Sequence, residues 1–204
     1  TKVVRRGEGG GLYLATTGVG WRLPGPPLGL DRIRAGDRLL VSGPIGDHGT
    51  AVMLAREQFG LKGRLCSDAA SVLPLTRILM GFEGLRFMRD PTRGGLASVC
   101  HEISQATGMT VRLHGPSIPV REEVQGVCEM LGYDPLYLAC EGRVLAVIDA
   151  GEADEALEAL RGQAESPSII GTVEKGAAQV VLTTAFGGER LLEELEDDPL
   201  PRIC

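Results

Sequence analysis

Three stretches of the chain place apolar residues at the spacing of a helix that is buried on one side. Near Gly94 begins a stretch in which Leu96, Val99, Cys100 and Ile103 stand at positions i, i+3, i+4 and i+7. Such a stripe packs against a core. The same spacing recurs in two further sets: Val124, Val127, Cys128 and Leu131, and Ala153, Ala156, Leu157 and Leu160. Cys100 and Cys128 are therefore predicted to be packing residues rather than reactive thiols.

Short runs rich in valine and isoleucine lie between these helices and predict β-strands. They are MTVRLH, RVLAVID, SIIGTV and QVVLTT, and residues 38–42 form a further apolar run that predicts a buried strand. Another helix is predicted through TAVMLAREQFG, ending at Gly60. Because strands and helices are interspersed but two strands follow each other near the end, we expect an α/β (α+β) fold in which a mixed sheet has helices on one face.

The first 30 residues differ in pattern from the rest. The runs KVVRR and LYLATTGV are separated by GEGGG, which predicts a hairpin or two neighbouring strands, and RLPGPPLGL then interrupts regular structure. We therefore predict strands of one domain and a linker at 1–30, an α/β domain at 31–192 and a flexible tail at 193–204. Because the chain opens at Thr1 in a strand-like run, we expect it to be a piece of a longer protein.

Charge and cysteine content narrow the classes of partner. A net charge of -6 over 204 residues, with no run of lysine or arginine, argues against nucleic acid. No apolar stretch is long enough to cross a membrane. The five cysteines are widely spaced and form no C-x-x-C pair, which favours reduced thiols in the cytoplasm. HEISQ at 101–105 lacks the second histidine of a zinc-binding helix, so no metal site is predicted there.

Two glycine-rich turns before helices are candidates for binding an anion. In RDPTRGG, Gly94 and Gly95 open a helix whose first N–H groups favour phosphate, while Arg93 adds charge and Asp90 suits Mg²⁺ or a helix cap. An ordinary strand-to-helix turn explains the motif equally well. SGPIGDHGTAV brings Asp47 and His48 before a second helix, although a single histidine there is more typical of a turn than of a catalyst.

Glu141 and Cys204 carry the remaining candidate chemistry. Glu141 lies between two apolar runs, where a carboxylate is costly unless it has a partner or a function; a salt bridge or a turn is the alternative. Cys204 ends the chain in PLPRIC, on an arm stiffened by proline. A thiol on such an arm can be modified at one site and delivered to another, and an accidental surface thiol is the alternative.

The motifs GDHG, DPTRGG, EGR and a terminal PRIC, in this order, resemble the HypE family of hydrogenase maturation factors. That family is related to aminoimidazole ribonucleotide synthetase and selenophosphate synthetase. The resemblance implies that residues 31–192 form the family's C-terminal domain, and that residues 1–30 are a β remnant of an N-terminal domain that binds ATP with Mg²⁺ and forms a homodimer.

The resemblance also implies a reaction and a role for each residue. Cys204 would receive a carbamoyl group, which ATP-dependent dehydration converts to a thiocyanate. Glu141 would be the base for the carboxamide nitrogen and Lys2 its charge partner. The residues that would face the nucleotide are Asp90, Thr92, Arg93, Gly94 and Gly95, together with Asp47 and His48.

The implied partners are the carbamoyltransferase HypF and the HypC–HypD complex, whose iron would receive the cyanide for [NiFe]-hydrogenase. By itself, a chain without the N-terminal domain is expected to be inactive or weakly active. Two alternatives stay open: a domain that only presents its tail to partners, and another ATP-dependent synthetase of the same superfamily.

Overall fold

The computed structural model describes residues 17–21, 24–55 and 65–195. Several sequence predictions fall outside these ranges: KVVRR, all of LYLATTGV except residues 17–19, the predicted helix end at Gly60, and the tail from residue 196 onward. Lys2 and Cys204 also lie outside them. The division of the chain into three parts therefore stays a prediction.

A seven-stranded sheet forms the centre of the described chain. Its strands are β1 Arg38–Val41, β2 Leu85–Arg89, β3 Thr110–His114, β4 Leu145–Ile148, β5 Ser168–Glu174, β6 Gln179–Thr183 and β7 Glu189–Leu191. The strand order is β2-β4-β1-β5-β3-β6-β7. Neighbouring strands are antiparallel except β3 and β6, which are parallel. The predicted mixed sheet is confirmed.

Five helices accompany the sheet in the described chain. They are α1 Asp47–Ala55, α2 Leu73–Leu79, α3 Gly95–Thr107, α4 Glu122–Leu131 and α5 Ala153–Arg161. The apolar stripes of α3, α4 and α5 face inward as predicted, and Cys100 and Cys128 are buried within them. Burial raises the pKa of Cys100 to about 12, which disfavours the thiolate and agrees with a packing role.

Helices cover both faces of the sheet, which corrects the single covered face that the sequence predicted. Leu39 and Val41 of β1 pack into the cluster that contains the stripe of α3. Leu40 points the other way and packs with α2 and α5. Strand side chains alternate between faces, and the unbroken apolar runs of β1 and β4 are the pattern of strands buried on both.

A third, smaller cluster joins α4 to α1 beside the sheet. Met53 of α1 packs there with Val124 and Cys128 of α4 and with Leu138, which precedes β4. This contact positions the first turn of α1 next to the segment that leads into β4, where the candidate residues lie. Within the described ranges, no helix combines the length and apolar character that a membrane span requires.

Candidate active site

The two glycine-rich turns both contact the short segment that precedes β4. The Gly49 N–H in α1 donates to the Ala139 carbonyl at 3.0 Å, and the Gly46 N–H points at the Cys140 sulfur at 3.3 Å. The same segment contacts the second turn, because the Cys140 N–H donates to the carbonyl of Pro91 in DPTRGG at 3.0 Å. Main-chain hydrogen bonds thus bring GDHG, DPTRGG and EGR into one region, although they are far apart in sequence.

Glu141 presents its carboxylate at the surface of this region. Its side chain is 40% exposed, and its Oε1 lies 4.0 Å from Nε2 of His48. The Glu141 N–H donates to Oδ1 of Asp68 at 3.0 Å, which fixes the main chain beneath the side chain. A distance of 4.0 Å to His48 is too long for a direct hydrogen bond, so the Glu141 carboxylate is accessible to a third group.

His48 lies in the first turn of α1 and is held from its other ring nitrogen. Nδ1 of His48 is 2.8 Å from the hydroxyl of Ser67, and the same hydroxyl accepts the Ala69 N–H at 3.0 Å. Ser67 and Asp68 belong to a loop that has no regular secondary structure. This loop therefore contacts both His48 and Glu141.

A buried ion network lies beneath these residues; it consists of Asp47, Asp68, Arg121, Arg143 and Glu165. Arg143 donates through Nη2 to Oδ2 of Asp47 at 3.2 Å, and its Nε lies 3.5 Å from Oδ2 of Asp68. Arg121 donates through Nε to the same Asp47 oxygen at 3.0 Å and through Nη2 to Glu165 at 2.5 Å. The network fixes the residues on either side of it in the chain, which include His48 and Glu141.

The two ends of this network have carboxyl groups with opposite pKa shifts. Burial raises the pKa of Asp47 above its ordinary value, because desolvation outweighs the hydrogen bond and charge of Arg121 and the charge of Arg143. At the exposed end, the hydrogen bond from Arg121 lowers the pKa of Glu165. Oδ1 of Asp47 and Oδ2 of Asp68 are buried and accept no hydrogen bond among the described residues.

The DPTRGG turn has a well-defined polar structure at the start of α3. The Thr92 hydroxyl donates to Asp90 at 2.6 Å and lies 3.3 Å from the Cys140 carbonyl. Asp90 and Arg93 are exposed, and Arg93 forms no ion pair within the described ranges. The residue before α3 is Gly94, so Asp90 does not cap the helix. An exposed, unpaired arginine beside a helix N-terminus is suited to an anion.

Gly95 is required by packing as well as by conformation. Its φ is +60°, and an added Cβ would lie 2.5 Å from the Leu136 carbonyl oxygen and 2.6 Å from that of Leu138. The glycine thus permits close contact between α3 and the chain at 136–138. Its φ and its packing account for Gly95 without a ligand, and phosphate binding at this turn stays a prediction.

The structure brings most of the predicted site residues together and adds others. Glu141, His48 and Asp47 lie in one cluster, and the turn at 90–95 contacts it through Cys140. Asp47 is buried and bound to two arginines instead of being presented at the surface. Sequence reasoning missed Ser67, Asp68 and Arg121. Among the described residues, no group of three or more histidine, cysteine or acidic side chains is arranged to hold a metal ion.

Residues 34–183 match the family model of the AIR synthase related protein, C-terminal domain. The chain therefore belongs to this family. Within it, the chain is similar to proteins named HypE, which confirms the resemblance indicated by the motifs. The carbamoyl dehydratase HypE of Azotobacter vinelandii is 43% identical over 208 aligned residues, which include 100% of this chain and 61% of that relative. The chain thus spans about three fifths of the length of the curated relatives it matches.

Two solved structures give the same relationship in three dimensions. A HypE in complex with ATP has a TM-score of 0.78 and 37% identity, with 84% of this chain and 54% of that chain covered. A HypE–HypF complex has a TM-score of 0.79 and 37% identity, with 82% and 56% covered. These values show that the described chain and the matched parts of the two structures have the same fold.

Proposed function

We propose that this chain is the C-terminal domain of an ATP-dependent carbamoyl dehydratase that acts in hydrogenase maturation. The observation that carries the proposal is the accessible Glu141 carboxylate, held over a buried ion network beside His48 in a chain that belongs to this family. The name and the ATP complex of its relatives support the reaction type. The substrate is the S-carboxamide of Cys204, and the product is its S-thiocyanate.

The reaction removes the carboxamide oxygen and both protons of the carboxamide nitrogen. ATP, when bound, supplies the phosphoryl group that turns the oxygen into a leaving phosphate. Glu141 accepts protons from the nitrogen as the carbon–nitrogen triple bond forms. Lys2 acts as charge partner of Glu141.

Nucleotide binding in this proposal uses the turn before α3. Arg93 contacts phosphate oxygens together with the first N–H groups of α3, and Asp90 and Thr92 fix the shape of the turn. Gly94 and Gly95 allow that shape. Asp47 takes a positioning role, because its carboxylate is paired with arginines. Mg²⁺ and most of the ATP site belong to the N-terminal domain in this proposal.

The proposed partners follow from the same assignment. HypF, which forms a complex with a similar protein, delivers the carbamoyl group to Cys204. The HypC–HypD complex receives the cyanide, the whole protein is a homodimer, and the reaction takes place in the cytoplasm. The second candidate is a domain that presents Cys204 to partners without performing chemistry; it predicts normal carbamoylation but no dehydration.

Mass spectrometry of the gene product that contains this chain tests the proposal. Incubation with the carbamoyltransferase, carbamoyl phosphate and ATP is expected to add a carbamoyl group at Cys204 and then to remove one water. Glu141→Gln is expected to stop at the carboxamide, because a neutral amide cannot accept the proton.

The matched control is Glu155→Gln, the same change at an exposed position of α5; it is expected to react like the unaltered protein. Absence of any modification at Cys204 contradicts the proposal. Normal dehydration by Glu141→Gln removes Glu141 as the base, and a carboxamide that persists in the unaltered protein favours the tail-presenting alternative.

A further inference from the structure

Ser67, His48 and Glu141 follow one another as neighbouring side chains at the surface of the candidate site. Ser67 Oγ is 2.8 Å from Nδ1 of His48, and Nε2 on the opposite side of the ring is 4.0 Å from Oε1 of Glu141. His48 is 22% exposed and Glu141 40% exposed, so water reaches both. The family resemblance placed His48 among the nucleotide contacts, whereas its ring is directed at the proposed base.

Ser67 can hold the imidazole in this orientation whether or not Nδ1 of His48 carries a proton. The Ala69 N–H donates to Ser67 Oγ at 3.0 Å, which anchors the hydroxyl. A serine hydroxyl both donates and accepts, so it can donate to a bare Nδ1 or accept from a protonated one. Nε2 can therefore gain or lose a proton without loss of the contact that fixes the ring.

The charged groups around His48 leave Glu141 as its partner. Asp47 precedes it in α1, but the carboxylate of Asp47 is bound to Arg121 and Arg143. Asp68 follows Ser67, but its carboxylate accepts the Glu141 N–H and faces Arg143. Among the described residues, Glu141 is the one carboxylate within 4.0 Å of the His48 ring.

We propose that His48 relays protons between Glu141 and water during the dehydration. This inference rests on the proposed function. The carboxamide loses two protons from nitrogen, whereas one carboxylate holds one proton at a time. Transfer from Oε1 of Glu141 to Nε2 of His48, directly as the side chains approach or through one water, restores the carboxylate for the second proton. His48 then releases the proton to water and returns to its neutral form.

Single-turnover assays on the carbamoylated protein test this role. His48→Ala is expected to slow thiocyanate formation by about tenfold or more, and added imidazole is expected to restore the rate in proportion to its concentration. His48→Gln keeps an N–H toward Glu141 but cannot relay a proton, so it is expected to be slow as well. The ATP concentration that gives half the maximal rate is expected to stay within about twofold in both variants, because the ring faces the proposed base.

The matched control is His114→Ala, which removes the other described histidine that pairs with a serine: His114 Nδ1 lies 2.7 Å from Ser117 Oγ at an exposed position. It is expected to leave the rate unchanged. The relay is overturned by unchanged rates in the His48 variants, by a rate loss that imidazole does not restore, or by a raised half-saturating ATP concentration as the main effect. Glu141→Gln still tests the proposed function separately. An unaltered protein that is carbamoylated but never dehydrated removes both.

Discussion

Asp68 connects Glu141 to the buried ion network. Its side chain has no exposed surface, Oδ1 accepts the Glu141 N–H, and Oδ2 faces Arg143. Asp68→Ala removes both contacts, so the part-buried Glu141 N–H loses its acceptor and Arg143 loses one of its ion-pair partners. We expect a loss of about 3 kcal/mol in the free energy of unfolding, measured with urea. Asp68→Asn keeps an acceptor for the Glu141 N–H and should cost less.

Glu165→Gln is the control for this prediction, because it removes a carboxylate from the exposed end of the same network. Its side chain is 58% exposed, so its pair with Arg121 is weakened by water. We expect a change of less than about 1 kcal/mol. Equal losses in Asp68→Ala and Glu165→Gln would show that burial does not decide the contribution of each pair.

Some residues of the candidate site could be predicted from the sequence, and others could not. Glu141 was found because it lies in EGR between two apolar runs, and His48 because it stands beside Asp47 in the glycine-rich GDHG turn before a predicted helix. Ser67 and Asp68 lie in a loop without periodicity, and no local pattern marks an aspartate that will pair with the arginine of EGR. Such a contact depends on tertiary packing, which local sequence does not contain.

At the scale of elements, the start of α3 depends on Gly95. Gly95→Ala would place a methyl group against the main chain at 136–138 and in the left-handed region, at a φ of +60°. Main-chain carbonyls cannot rotate away as a side chain does. We expect a loss of more than about 2 kcal/mol in the free energy of unfolding, measured with urea.

Gly126→Ala is the matched control, since Gly126 lies inside α4 and an added Cβ would meet no atom within 4 Å. Alanine favours the helix over glycine, so we expect a gain of about 0.5 to 1 kcal/mol. If both variants lost stability equally, the close approach of α3 to residues 136–138 would not be the cause.

The elements that sequence predicted well are those with a long or strongly apolar pattern. The stripes of α3, α4 and α5 and the valine-rich strands lie where they were expected. The seven-residue helix α2 is too short for a helical period to be recognised, and β7 is exposed along its length and so has no buried face to mark it. The helices on the second face were missed because burial on both faces of β1 was not inferred from its apolar run.

At the scale of the whole molecule, the buried ion network joins parts of the chain that lie far apart in sequence. Asp47 belongs to α1, Arg121 precedes α4, Arg143 precedes β4, and Glu165 lies between α5 and β5. The network therefore connects distant segments of the tertiary structure rather than the residues of any one element. Its contribution to stability should depend on pH, with opposite signs at the buried and exposed ends.

Burial raises the pKa of Asp47 in the folded protein above its ordinary value of 3.8. As the pH rises from 3.8 toward this raised pKa, the carboxyl group is ionised in the unfolded chain but still protonated in the folded protein. The contribution of Asp47 to stability consequently falls as the pH rises through this window. For Glu165 the folded pKa is lowered by Arg121, so its contribution is present above its ordinary value of 4.5 and is lost on acidification.

Urea unfolding at a series of pH values between about 3.5 and 7 measures both effects, because the ordinary and shifted pKa values of carboxyl groups fall in or near this range. The stability of the unaltered protein minus that of Asp47→Asn is expected to decrease with rising pH, and the same difference for Glu165→Gln is expected to increase. Slopes of equal sign would contradict the assignment, since they would mean that the arginines outweigh burial at Asp47. Opposite slopes, as predicted, would show that ionising Asp47 in the folded protein costs stability, as expected for a buried carboxylate even when it is paired with Arg121 and Arg143.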